Sequence, residues 1–218
     1  MKVLVIDTAL NACTAAVFDG DRPLGVRVEP MAKGHQERIG GLVRDAVAEA
    51  GGFDGIERIG VTVGPGSFTG LRVGLAFAQG LGAALGVPVV GISTLAALAR
   101  TADDGIGATA AVIDARRGQV YLQTFRDGVP AMAPAALALD AARDALSTND
   151  WVWAGSGATL VTDALSDAPL AVPTPAALAA LTIAANPASA PPTPLYLRAP
   201  DATPPTRLPG QARPARPS

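Results

Sequence analysis

Apolar residues are grouped along the first third of the chain in a way that predicts alternating strands and helices. Val3-Leu4-Val5-Ile6 is an unbroken apolar run closed by Asp7 and predicts a strand over Lys2 to Asp7. Ala12 to Asp19 and Leu24 to Glu29 predict two more, with Asp19-Gly20-Asp21-Arg22-Pro23 as the turn between them. From His35 to Ala50 the period changes. Ile39, Leu42, Val43, Ala46, Val47 and Ala50 recur at three- and four-residue steps, which predicts a helix, and Gly51-Gly52 stops it. Arg58 to Val63 predicts a fourth strand, Gly64-Pro65-Gly66-Ser67 a tight loop, and Phe68 to Leu85 a long helix. Val87-Pro88-Val89-Val90-Gly91 then predicts a short buried strand dividing two helices.

The middle of the chain echoes the opening. Ala111-Val112-Ile113-Asp114 repeats the pattern of Leu4-Val5-Ile6-Asp7, and Phe125-Arg126-Asp127-Gly128-Val129-Pro130 repeats Phe18-Asp19-Gly20-Asp21-Arg22-Pro23. One offset relates both pairs. Val152-Trp153-Ala154-Gly155-Ser156-Gly157 also resembles Val61-Thr62-Val63-Gly64-Pro65-Gly66. The order of three strands, helix, strand, helix therefore occurs twice, and a chance likeness of two hairpins explains less of it than duplication does. Two α/β lobes facing one cleft, each with a mixed sheet and helices, are the architecture of actin, sugar kinases and heat-shock chaperones (the ASKHA fold). The expected division is residues 1–105 for the first lobe, 106–198 for the second, and 199–218 for a proline-rich tail. Ten of the 32 residues after Asn186 are proline, which argues for an extended or disordered tail from Ala199. Leu195-Tyr196-Leu197-Arg198 remains readable as an ordered strand or clamp.

Composition narrows the function classes. The chain has 218 residues, 49% hydrophobic, enough for a substantial core. Its net charge of -2 does not fit a stand-alone nucleic-acid binder, because phosphate neutralisation needs clustered Lys and Arg. One cysteine, Cys13, rules out an intrachain disulfide and fits a reducing, cytoplasmic setting. Val73 to Ala99 carries no charge, but its five glycines, Gln79 and Pro88 argue against a membrane span.

The segment from Gly64 to Gly74, Gly-Pro-Gly-Ser-Phe-Thr-Gly-Leu-Arg-Val-Gly, carries the most information. A strand leads in and a helix leads out, so its amides could hold an anion. It is neither a Walker loop, lacking Lys-Ser or Lys-Thr, nor a dinucleotide fingerprint, since Thr69 stands at the third glycine position. Within the helix, Gly70, Gly74, Ala78 and Gly82 lie four apart on one stripe. Each interior glycine costs about 1 kcal/mol against alanine. Close approach of another backbone would offset that cost, either within the chain's own core or on a partner's helix. Spacing favours the core.

The same eleven residues closely resemble the signature segment of the TsaB (YeaZ) family. Ile6-Asp7-Thr8-Ala9, His35-Gln36-Glu37-Arg38-Ile39, Gly91-Ile92-Ser93-Thr94-Leu95 and Leu195-Tyr196-Leu197-Arg198 resemble further family segments in order. So does Ile113-Asp114-Ala115-Arg116-Arg117-Gly118-Gln119-Val120-Tyr121, with Gln119 where glutamate is usual. The resemblance implies an ASKHA-like fold and a part in making N6-threonylcarbamoyladenosine beside the anticodon of tRNA. It implies a scaffold subunit that pairs with the transferring paralogue TsaD, is joined by the small ATPase TsaE, meets tRNA only through the complex, and can form homodimers. The pairing face expected from it comprises Ile39, Leu42, Val43, Ala46, Phe68, Leu71, Arg72, Leu75 and Ala78.

Catalytic groups are sparse. TsaD-like proteins hold a metal with a His-x3-His pair. Here the second position is Ile39, and His35 is the only histidine, so one subunit cannot build a two-histidine site. No metal or cofactor is therefore expected on this chain, with ATP and metal on the partner subunits. Asp7, Thr8, Gly64, Gly66, Ser67, Asp114 and Arg116 form a candidate vestigial phosphate site, because aspartates placed like Asp7 and Asp114 bind metal–phosphate in active ASKHA kinases. Their plain structural alternative is to bond turn amides. Ser67 lacks the G-x-S-x-G setting of a nucleophile. A small ASKHA phosphotransferase or ATPase and a glycoprotease-like peptidase stand as the rival readings.

Overall fold

A computed structural model describes residues 1–102, 106–147, 150–163, 165 and 171–198. The expected tail, 199–218, and the residues just before the expected lobe boundary lie outside them. The first half contains β1 (Lys2–Asp7), β2 (Ala12–Asp19), β3 (Arg22–Pro30), α1 (His35–Glu49), β4 (Ile56–Gly64), α2 (Phe68–Leu85), β5 (Val89–Ser93) and α3 (Thr94–Ala102). The second contains β6 (Ala108–Arg116), β7 (Gln119–Arg126), β8 (Val129–Pro130), β9 (Ala135–Ala138), α4 (Leu139–Leu146), β10 (Val152–Ala154), α5 (Ala158–Val161) and α6 (Pro175–Ala184).

The topology bears out the duplication. The first sheet runs β3-β2-β1-β4-β5, and the second runs β10-β6-β7-β8 with β9 also on β7. In the first, β1 pairs antiparallel with β2 and parallel with β4. In the second, β6 pairs antiparallel with β7 and parallel with β10. This is the duplicated ASKHA-like α/β arrangement. The helix and strand boundaries follow the apolar pattern closely in the first half. The short strand falls at Val89–Ser93, two residues later than expected at each end, because its ladder with β4 runs from Ile59↔Val89 to Gly64↔Ser93.

Each sheet is covered on both faces, so successive side chains of a strand enter different cores. Leu4 and Ile6 of β1 pack with Ile39, Val43 and Ala46 of α1 and with Leu75 and Ala78 of α2. Val3 and Val5 face the other way, with Ala97 of α3 and Leu178 and Ala179 of α6. That is why β1 reads as a continuous apolar run. On the second sheet, Ala111 and Ile113 pack with Leu95 and Leu98 of α3, while Ala110 and Val112 pack with Ala142, Leu146 and Val161 of α4 and α5.

The halves exchange helices. α3 ends the first half and covers the second sheet, whereas α6 ends the second half and covers the first. Arg58 of β4 holds α6 there, its Nη1 donating to the carbonyls of Thr182, Ile183 and Ala185. The division at 106–198 thus needs correction. Residues 175–184 belong spatially to the first lobe, a long-range packing outcome that no local pattern carries. α2 is long and apolar enough to cross a membrane by length and composition alone. Here its Leu75 and Ala78 lie in the core of the first lobe.

Candidate functional site

The glycine-rich loop is built against the turn after β1. Ser67 N donates to Ala9 O at 2.8 Å, and Thr8 Oγ1 donates to Gly70 O at 2.8 Å. Ser67 caps α2, its Oγ accepting from Gly70 N at 3.2 Å. A side chain on Gly70 would place its Cβ 2.0 Å from Thr8 O, and one on Gly74 would come within 2.3 Å of Thr8 Oγ1. At Gly82 the same atom would lie 2.4 Å from Val89 Cγ2. The small-residue stripe therefore packs on this chain's own sheet, as its spacing favours. The amides of Ser67 and Gly70 are taken up internally.

Asp7 is 1% exposed. Its Oδ1 accepts from Ala9 N at 2.9 Å and from Thr62 Oγ1 at 2.7 Å, while Oδ2 has no partner among the described residues. Burial pushes its carboxyl above the usual carboxylate range, against the Ala9 amide, the Thr62 hydroxyl and the charge of His35. Asp114 sits at the equivalent place and is more open. Its Oδ1 accepts from Arg116 N at 2.7 Å, and Oδ2 pairs with Arg116 Nη1 at 3.1 Å. Both aspartates bond the amide two residues on, the turn-bonding role weighed for them from the sequence.

The lobes enclose a cleft of about 380 Å³ whose lining includes Gly66, Ser67, Asp114, Arg116, Tyr121 and Ser156. Four of the seven residues of the expected phosphate site meet there. Asp7 and Thr8 do not: both are buried behind the loop. Gly64 does not either, because it abuts Leu195 O. An Asp7–Asp114 pair sharing one metal–phosphate in this cleft is thus corrected by the burial of Asp7. Among the described residues no three His, Cys, Asp or Glu side chains cluster as metal ligands. His35 is buried, with Nε2 3.1 Å from Leu10 O.

A second concavity lies between α1 and α2. This groove of about 560 Å³ is lined by Gln36, Ile39, Phe68, Thr69, Arg72, Val73, Ala76 and Phe77. Of the nine residues expected on a pairing face, Phe68 and Arg72 are on the surface, and Ile39 reaches the groove floor at 2% exposure. Leu42, Val43, Ala46, Leu71, Leu75 and Ala78 are buried inside the chain. The correction has a simple cause. Three-and-four spacing finds the most apolar stripe of a helix, and the sheet takes that stripe first. Of the groove's other residues, Gln36 is polar and Ala76 is small, so the pattern passes over them, and Phe77 belongs to the half-buried row Val73, Phe77, Leu81 and Leu85 beside that stripe. Tyr196, which adjoins Phe68 at 5.2 Å between ring centroids, lies in the segment 195–198 legible as an ordered strand or clamp, but its place beside Phe68 is a contact between segments far apart in sequence.

The double sheet with exchanged helices, the interlobe cleft and the capped glycine loop define a two-lobed ASKHA-type α/β protein. Comparison with known proteins agrees. The family model described as TsaD, tRNA N6-adenosine threonylcarbamoyltransferase, matches residues 19–150. An uncharacterised protein of Mycobacterium tuberculosis (strain H37Rv) is 40% identical over 206 residues, 93% of this chain and 94% of that one. The tRNA threonylcarbamoyladenosine biosynthesis protein TsaB of Escherichia coli K12 is 38% identical over 129 residues, 58% of this chain and 55% of its own length. The solved structure of YeaZ from Pseudomonas aeruginosa superposes with a TM-score of 0.72 at 30% identity, covering 90% of this chain and 99% of that one. The chain belongs to the TsaB/YeaZ family.

Proposed function

We propose that this chain is a non-catalytic pairing subunit in the synthesis of N6-threonylcarbamoyladenosine in tRNA, docking a TsaD-type transferase through the groove between α1 and α2. The observation that carries the reading is that groove. α2 has Arg72 as its sole charged residue, and its outward positions Ala76, Gly80, Ala83 and Ala84 are small and exposed. A helix with such a face accepts a second helix at short distance and exposes few charges to desolvation when it does. The names of the relatives support the pathway, and the buried, internally bonded states of Asp7 and His35 support a role without chemistry. TsaE would join the pair, tRNA would be met only through the complex in the cytoplasm, and ATP and metal would reside on the partner subunits.

The experiment is size-exclusion chromatography with light scattering, mixing this protein with TsaD from the same source and then assaying threonylcarbamoyl transfer to tRNA. A one-to-one complex that restores transfer is expected. Absence of a complex, with or without TsaE and nucleotide, would overturn the reading. Self-association unaffected by TsaD would point to a homodimer instead, and ATP turnover lost on Asp7→Ala to a phosphotransferase. Protease activity that depends on His35 would point to a peptidase. Ala76→Arg, at an exposed groove position, should leave a folded monomer that no longer pairs. Ala78→Arg is unsuitable for this purpose: Ala78 is fully buried, and the charge would unfold the lobe.

A further inference from the structure

Residues 186–198 have no helix or strand, yet hydrogen bonds tie them to several elements in turn. Gly91 N of β5 donates to Ala190 O at 3.0 Å, and Gln79 Nε2 of α2 donates to Pro192 O at 2.9 Å. Leu195 N donates to Val63 O of β4 at 2.7 Å, and Arg198 Nη1 donates to Ala115 O of β6 at 2.7 Å. The segment is a strap, fixed on both sides of Tyr196, that runs from the first lobe to the second.

The strap sets Tyr196 beside the first turn of α2. Its ring lies 5.2 Å from that of Phe68 at an interplanar angle of 33°. Its hydroxyl accepts from Arg72 Nε at 3.3 Å, and the Arg72 guanidinium carbon stands 3.9 Å above the centre of the Phe68 ring. Phe68 is nevertheless 46% exposed and Tyr196 42% exposed. Two large aromatic rings and an arginine, clustered and half open to solvent, have the composition of an interaction hot spot. They adjoin the α1–α2 groove, since Phe68 and Arg72 line it. Because they already brace one another, little side-chain freedom remains to be lost on docking. The Nη groups of Arg72 meet no acceptor among the described residues, and this planar fork suits a carboxylate.

We propose that Phe68, Arg72 and Tyr196 form the recognition corner of the pairing surface, with Arg72 receiving a carboxylate from the helix that the transferase partner lays in the groove. This rests on the pairing reading above and adds the strap to it. The C-terminal strap is then part of the docking face as well as a tie between the lobes.

Isothermal titration calorimetry of the full chain against TsaD from the same source, at low and high salt, tests it. Tyr196→Ala should raise Kd by about 30-fold, and Arg72→Gln by about tenfold. Tyr196→Phe, which keeps the stack and loses only the hydroxyl, should cost no more than about fivefold. Arg72→Gln should also flatten the salt dependence. Unchanged far-ultraviolet circular dichroism and a cooperative thermal melt show that each variant is folded. If Tyr196→Ala does not fold, Arg72→Gln decides the matter. With Ala76→Arg abolishing pairing, wild-type affinity in Tyr196→Ala and Arg72→Gln would overturn the corner and leave the pairing reading standing. Wild-type affinity in Ala76→Arg as well would overturn both. Binding insensitive to salt in the wild type would overturn the carboxylate.

Discussion

β1 and β6 close their runs at corresponding aspartates, and each aspartate accepts the amide two residues on, Asp7 from Ala9 and Asp114 from Arg116. Past that point the lobes diverge. After β4 the first lobe places a glycine loop sealed by Thr8 and Ala9 and an 18-residue helix. After β10 the second places Gly155-Ser156-Gly157 and a helix of only four residues. Asp7 is sealed beneath its loop, whereas Asp114 opens on the cleft beside an exposed Arg116. Duplication thus accounts for the two sheets. The long helices and the groove belong to the first copy only, and the second copy contributes α6 and the strap, whose Tyr196 completes the aromatic corner. The surface proposed for pairing therefore lies where the two copies differ.

The sharpest way to break the comparison is to fill the seal that the first lobe has. Gly70→Val would force its side chain against Thr8 O, 2.0 Å from the ideal Cβ. It should lose about 3 kcal/mol or more in urea unfolding. Gly80, on the exposed face of the same helix, has nothing within 4 Å of the added Cβ. Gly80→Ala should therefore stabilise by up to about 1 kcal/mol. Equal effects at the two sites would mean that the stripe is not sealed.

The helix exchange is tested by Arg58→Met, which removes the guanidinium from three carbonyls at the end of α6. A loss of about 2 kcal/mol and faster proteolysis near Ala184 are expected. Unchanged proteolysis would mean that apolar packing alone holds α6.

The smallest effects compare the two aspartates. Asp7 keeps its proton to higher pH in the folded chain than in the unfolded one, because burial disfavours its charged form. Its contribution is fully present below the ordinary carboxylate pKa of 3.8 and is lost as pH rises through the raised native value. Asp7→Asn removes that loss, so the variant should gain on wild type with rising pH and converge with it in acid. Asp114→Asn should cost no more than about 0.5 kcal/mol at neutral pH, since its partner Arg116 is largely exposed. Urea melts between pH 4 and pH 8 read the Asp7 variant, and a pH-independent offset from wild type would remove the burial effect.

The amino-acid sequence by itself determined the strands and the two long helices of the first half and the duplication, but not the division into β8 and β9 in the second. What it determined is set by local period, turn residues and an echoed order, all of which lie within short windows of chain. The signature from Gly64 to Gly74 also made the family legible. Tertiary structure alone decided which face of each helix remains free. Leu71, Leu75 and Ala78 carry the helical period, and for that reason the sheet buries them. Val73, Phe77, Leu81 and Leu85 carry the same period one row over and are only half covered, while Ala76 is too small to mark a face and is left outward. Only the folded chain could bring α6 to the first sheet, close the loop over Asp7 and set Tyr196 against Phe68. Each depends on contacts between segments far apart in sequence, and their energy comes from packing that no local pattern of residues encodes.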